Sequence, residues 1–312
     1  AWIIEANTNT TAIAGTNRGI ICVGTSDGAA TTHARVSHVI VDGMTAGAPI
    51  DAAEWGNGVA LMNASDIEVD GNTIRYFKGD GVTHCRARIG SGQDDLSDIR
   101  VHHNNIYGGV GQGISLGAAS TCTDTNWLIE SNNIHDYATG AGAEAIIISS
   151  YATFIHITQN RLVNWGSITA LGSSNLTITG NRMKPNPAVA CFLSAEQNSQ
   201  TVHDVLFEGN YCDFSLQTGA GVGGGFTMDN QAGSRIQVIG NAFKRVSGIA
   251  ALSSPCVGIT SNTAATFTDI VIDGNICFNG DGTGAPTSIL PDIIVSDKAI
   301  AGHAATRISI TN

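Results

Sequence analysis

The chain has 312 residues, a formal net charge of −11 at pH 7, and 13% charged against 42% hydrophobic residues. Typical soluble domains are about 25% charged. With 15 Lys and Arg in all, it lacks the clustered cations that phosphate-backbone binding needs, which argues against a nucleic-acid partner. No apolar run approaches the roughly 18 residues of a membrane span, and no basic segment leads into an apolar stretch as a secretion signal would, so no membrane insertion is expected.

Taken in chain order, the sequence repeats one phrase, apolar-x-apolar-x-x-Asn-x-apolar. It opens as "WIIEANTN", with Trp2, Ile4 and Asn7 in the slots later held by Trp127, Ile129 and Asn132. "VIVDGMTA" (39–46) follows with Met44 in the Asn slot. Next come "IEVDGNTI" (67–74), "IRVHHNNI" (99–106), "WLIESNNI" (127–134) and "IHITQNRL" (155–162). "LTITGNRM" (176–183), "VLFEGNYC" (205–212), "IQVIGNAF" (236–243) and "IVIDGNIC" (270–277) complete the series. The closing "ISITN" puts Ile308 and Ile310 in the slots of Ile67 and Val69. From Asn72 to Asn275 the spacings are 32, 28, 28, 21, 29, 31 and 34 residues, the near-period of a solenoid.

A second phrase falls between Asn slots, as in "GIICV" (19–23), "GVALM" (58–62), "GVTHC" (81–85), "AIIIS" (145–149), "SITAL" (167–171) and "GIAAL" (248–252). Each unit therefore holds short alternating strands separated by Gly, Asn, Ser and Asp turns, and no helical period is sustained. One such strand cannot bury its apolar side alone, but like strands from successive coils can stack into parallel sheets around a shared core. The recurrent Asn predicts a sharp bend, since it tolerates left-handed backbone and its amide can satisfy backbone groups. Stacked Asn side chains add a ladder. The preceding Gly71, Gly180, Gly209, Gly240 and Gly274 serve the same bend.

These repeats resemble the right-handed parallel β-helix of the pectate-lyase-like superfamily over essentially the whole chain. Within it they most resemble the central β-helix of a bacteriophage tailspike or tail fibre. The expected fold is all-β: a right-handed single-stranded parallel β-helix of about ten coils, one domain over 1–312. The chain starts and stops inside a repeat with no amphipathic cap, so it reads as a portion of a longer chain. Its seven cysteines are odd in number, dispersed and without a CxxC pair, and read as buried free thiols, which favours assembly in a reducing compartment.

The 21-residue coil from Asn160 to Asn181 is the tightest, with short connections at 149–153 and 172–174. Longer loops at 86–96, 117–126 and 194–203 flank it, so a groove for a linear polymer is expected there. Arg161 and Arg182 each follow the Asn and should stack about 4.8 Å apart. With Lys184 they would hold an acidic sugar, with Trp165 and Tyr137 as stacking platforms and His156 nearby on the substrate. The alternative is that Glu130 and Glu208 neutralise the two arginines. For hydrolysis, Asp80, Gln112 and Glu144 share a column, placing Asp80 and Glu144 about 9.6 Å apart, loosely suited to inversion. Asp124 and Glu196 on the groove walls form a second candidate pair. Asp66, Asp98, Asp204 and Asp269 recur before a strand and read as turn formers.

For elimination or epimerisation, "HCRARIGSGQDD" (84–95) offers His84, Arg86, Arg88, Asp94 and Asp95, with Ca²⁺ at the adjacent acids. His84 alternatively points inward, in the slot of Leu61. His102 and His103 beside Asp70 and Glu130, with His135 and His156, lack HxH or HExxH spacing and read as a polar ladder, so no metal ligand is assigned. The Asp-Asp and Gly-His-Gly signature of polygalacturonases is missing, as is the calcium-aspartate cluster of pectate lyases. No catalytic position is carried over from the superfamily.

The resemblance implies a tailspike β-helix, on a virion tail with other tail proteins, that trimerises and binds and cleaves a bacterial surface polysaccharide without a cofactor. A secreted bacterial polysaccharide lyase or epimerase, with Ca²⁺, is the alternative. A non-catalytic glycan-binding or structural β-helix is the third class.

Overall fold

The computed structural model describes residues 2–5, 19–24, 31–45, 48–49, 57–77, 79–84, 95–117, 123–137, 144–185, 189–195, 200–216, 224–229, 233–245, 255–261, 267–279, 293–297 and 306–311. Successive coils feed three ten-stranded sheets. Seven-residue strands such as Asp124–Glu130 and Ala152–Thr158 make the long-strand sheet. After a bend, three-residue strands such as Asn133–His135 and Arg161–Val163 make the post-bend sheet. Strands such as Ile146–Ile148 and Ile168–Leu171 make the third. Pairing within each is parallel, with like positions opposite one another.

Alternation decides what fills the interior. Ile67, Ile99, Trp127, Ile155, Leu176, Val205, Ile236 and Ile270 stack in one column, each at most 1% exposed. Each fully buried aliphatic side chain contributes about 1.5–3 kcal/mol relative to an exposed one. A repeated column is thus the main source of stability in a chain of short strands.

The bend is held by a ladder from Asn72 to Asn275. Asn132 is typical: its Oδ1 accepts from the Asn104 backbone N–H and from Asn104 Nδ2, both at 3.0 Å. Its Nδ2 donates to Val101 O at 2.8 Å and to Asn160 Oδ1 at 3.0 Å. The left-handed residue is the one before the Asn, for example His103 (φ 55°), Ser131 (φ 54°), Gln159 (φ 56°) and Gly180 (φ 64°). This corrects the expectation that the Asn itself takes that conformation. The preceding residue makes the turn, and the Asn satisfies the backbone groups the turn exposes.

Three further expectations are corrected. Trp2–Glu5 pairs with Val39–Asp42 in the post-bend sheet, not in the column of Trp127, because Thr31–Ser37 takes the long-strand position and stacks Val36 on Val69. "GIAAL" (248–252) lies outside the described residues, and Val257–Ser261 is the third-sheet strand of that coil. Four cysteines are not free thiols: Cys191–Cys212 and Cys256–Cys277 form disulfides, each with Cα atoms 6.3 Å apart. Such bonds belong to oxidising conditions. Cys22 is exposed and belongs to neither disulfide, and Cys85 and Cys122 lie outside the described residues.

Candidate functional site

On the post-bend sheet Arg161 lies directly opposite Arg182, and both are exposed. Arg161 donates to Asn133 Oδ1 at 2.7 Å, and Tyr211 continues the column beyond Arg182. Glu130 and Glu208 instead occupy the last column of the long-strand sheet, with His102, Thr158 and Thr179. Among the described residues neither arginine is ion-paired with a carboxylate. Lys184 sits opposite Val163 in the next column. Beside it Tyr107 and His135 stack at 5.1 Å. Asp136, next to that histidine, is held below the usual carboxylate range by its hydrogen bond to His135, against partial desolvation and with help from Arg161.

The expected stacking platforms are not on this surface. Trp165 is fully buried and Tyr137 nearly so, packed on each other at 5.3 Å, with Trp165 also against Phe77. Large rings at these positions fill the interior corner between the post-bend and third sheets.

The carboxylate candidates separate. Asp80, Gln112 and Glu144 do share a column: Asp80 Oδ1 accepts from the Gln112 backbone N–H at 3.0 Å, and Gln112 Nε2 donates to Glu144 Oε2 at 3.4 Å. The intervening glutamine therefore ties both acids into a half-buried ladder. Asp124 is not on a groove wall. It is fully buried at the start of its strand, 2.8 Å from His84 and bonded to the Gly117 N–H. His84 points inward opposite Leu61, as the repeat allows. Glu196, Arg86, Arg88 and Asp94 lie outside the described residues. Asp95 accepts from the backbone N–H of Thr123 at 2.8 Å.

A concave surface forms instead on the outer face of the long-strand sheet. Its strands carry a bulge at a fixed position, so the register skips Asp66, Asp98, Asn126, Phe154, Asn175, Asp204, Arg235, Asp269 and Arg307. All nine have φ between 53° and 59°. Asn and Asp accept this left-handed conformation most readily among residues with side chains, so the four aspartates serve a bulge within the strand rather than a turn before it. From Phe154 onward this column lines one side of a groove of about 560 Å³, with His156, Thr177, Leu206, Gln237 and Val271 beside it. Phe154 is 54% exposed. Arg235 grips Asp204 with two guanidinium nitrogens, and Arg307 reaches Asp269 at 2.6 Å. The Arg235 bond holds the Asp204 carboxyl at about 2, against partial burial and with help from His203.

Of the described residues expected to bind substrate or catalyse, only His156 lines this groove, together with Asp204 and Asp269, which the sequence marks as turn formers. Phe154, Arg235 and Gln237 were missed, though a signal existed. The stretches Ser65-Asp66-Ile67, Ser97-Asp98-Ile99, Thr125-Asn126-Trp127 and Thr268-Asp269-Ile270 set a local rule. Phe154, Arg235 and Arg307 break it.

This geometry defines a parallel β-helix with a long polar groove on one face. Residues 92–264 match the family described as right handed beta helix region, and the chain belongs to that family. Among solved structures it is similar to DFA-IIIase from Arthrobacter chlorophenolicus A6 in complex with GF2, with TM-score 0.59 and 17% identity over 94% of this chain and 66% of that one. The same enzyme without its lid gives TM-score 0.56 at 18% identity, over the same shares. A tailspike protein double mutant of E. coli bacteriophage HK620 in complex with pentasaccharide gives TM-score 0.48 at 12% identity, over 99% and 58%. The chain thus spans just under two thirds of the DFA-IIIase chains. No curated protein matches.

Proposed function

We propose that this chain is a glycan-binding β-helix whose long-strand groove holds a linear polysaccharide. The observation that carries this reading is Phe154, a large apolar ring held half exposed in a backbone conformation that suits Asn or Asp, at one end of the groove-lining stretch of its column. Sugar rings stack their apolar faces on such aromatics, and a few placed polar groups fix orientation. Five coil steps from Phe154 to Arg307, each about 4.8 Å, give a groove about 24 Å long, which suits a chain of sugars better than a single one. Asp204 and Asp269 are occupied by arginines, and the Asp80–Glu144 ladder lies outside the groove's lining. The geometry therefore supports binding ahead of cleavage.

The finer proposal, supported by the sequence resemblance, is a tailspike or tail-fibre β-helix that recognises a bacterial surface polysaccharide as a homotrimer. Binding to an immobilised panel of capsular and O-antigen polysaccharides, with light scattering for the assembly mass, tests both levels. The wild-type chain is expected to retain a linear glycan, and Phe154→Ala to weaken it at least tenfold, about 1.4 kcal/mol. Binding of no polysaccharide, or equal binding by Phe154→Ala, would refute the groove. A monomeric mass would remove the tailspike reading alone.

A further inference from the structure

On the long-strand sheet, two to three coils before Phe154, three donor atoms converge. Asp70 Oδ1 lies 3.2 Å from His102 Nδ1 and 3.6 Å from His103 Nδ1, and the two Nδ1 atoms are 2.8 Å apart. Neighbours in a strand normally point to opposite faces. Here His103 has φ 55°, and this left-handed step turns both imidazoles to the same side. Asp70 is brought alongside by register, opposite His102 on the preceding coil.

The outer contacts fix these groups. His102 Nε2 meets Glu68 Oε1 at 2.8 Å, and Arg35 binds Asp70 Oδ2 at 2.5 Å and Glu68 Oε2 at 3.0 Å. Glu68 accepts the Nε2–H of His102, which leaves the Nδ1 lone pair facing Asp70 Oδ1 and His103. Three atoms this close must share something among them: a proton carried on His103 Nδ1, or a metal ion in its place. A triangle with these sides has a circumscribed radius of about 1.9 Å, just under the 2.0–2.1 Å metal–ligand bond of zinc sites, so one ion can reach all three atoms. An imidazole anchored through its other nitrogen to a carboxylate is the usual outer arrangement of such sites.

We propose that Asp70, His102 and His103 form a binding site for a divalent transition-metal ion of the zinc class, with Glu68 as the positioning residue for His102. Two imidazoles and one carboxylate select zinc, cobalt or nickel over calcium and magnesium, which require oxygen ligands. The His103 side chain is 61% exposed, so the remaining coordination positions open to solvent. This site is independent of the groove.

The test uses the full chain after chelator treatment, titrated with Zn²⁺ by calorimetry and with Co²⁺ by its d–d absorption. One equivalent is expected to bind, with the cobalt spectrum of a nitrogen-and-oxygen site. His103→Ala, at an exposed position that leaves folding intact, should weaken binding at least about tenfold, and Glu68→Gln about 10–100-fold. His135→Ala, a histidine outside the cluster, should leave it unchanged. Absence of saturable one-to-one binding would overturn the proposal, leaving a ring proton as the bridge. Equal binding by wild type and His103→Ala would overturn it as well.

Discussion

His84 Nδ1 lies 2.8 Å from Asp124 Oδ1 inside the solenoid, with side chains 1% and 0% exposed. His84 stands opposite Leu61, and Asp124 opposite Leu96 and Ala152, so a polar pair occupies slots with apolar neighbours. Removing one partner strands the other in the core. Asp124→Ala is therefore expected to cost about 3–5 kcal/mol in urea unfolding. Replacing both with apolar residues is far milder, so His84→Leu with Asp124→Ala should recover much of that loss. A double variant no more stable than Asp124→Ala would show that the two are not coupled.

The Asn ladder makes a second prediction. Asn132→Ala leaves Val101 O and the Asn104 N–H without their side-chain partner in a buried bend. Each orphaned buried group costs about 1–3 kcal/mol, so a loss of about 2–5 kcal/mol is expected from thermal or urea unfolding. Asn275→Ala, at a half-buried position with the same pattern of bonds, should cost less because water can replace some of them. Equal losses at the two positions would show that burial does not set the cost.

The fold was legible because its determinants are periodic. The Ile67-to-Ile308 column and the Asn ladder repeat every coil, and both are visible as strings. What failed was the part that depends on which of two similar phrases takes which sheet. "VIVDGMTA" satisfies the apolar alternation of either sheet, and only the placement of Thr31–Ser37 decides between them. The disulfides were missed for a related reason. Residues 191 and 212, like 256 and 277, are each 21 apart, a spacing that carries one corner of a coil to another. Tallied by number and CxxC spacing, the same cysteines look unpaired. The site was the least legible, because it rests on residues that depart from the repeat. Trp165 and Tyr137 were chosen for being aromatic, yet an aromatic in a repetitive chain usually belongs to the core, and these two do.

Asp204 supplies a pH dependence. Its carboxyl is depressed from 3.8 to about 2, chiefly by Arg235. A carboxylate lowered on folding adds stability above its unfolded pKa and loses it as pH falls through the folded value. The contribution should therefore be complete above about pH 4 and fade towards pH 2. The Arg235 side chain is 56% exposed, so solvent screening keeps the pair's contribution small. Arg235→Gln should narrow the stability gap between pH 6 and pH 2.5 relative to wild type. An unchanged gap would mean that the pair does not persist in solution.

Phe154 allows stability and binding to be separated at one position. In the bulge column, Asn126 and Asn175 sit on either side of it with φ 57° and 54°, against 57° for Phe154. Asn accepts that conformation more readily than a bulky ring does, and Phe154 leaves 54% of its surface in water. Phe154→Asn should therefore raise stability, by up to about 1 kcal/mol of relieved backbone strain. It should also lower glycan affinity at least as far as Phe154→Ala does, since both remove the ring. A strained, exposed aromatic whose replacement improves the fold but weakens binding is the pattern expected of a residue kept for a ligand. If Phe154→Asn lost stability, the ring would be packing against its neighbours, and the groove would have to be assigned without it. Thermal unfolding and polysaccharide retention measured on the same preparations decide between the two.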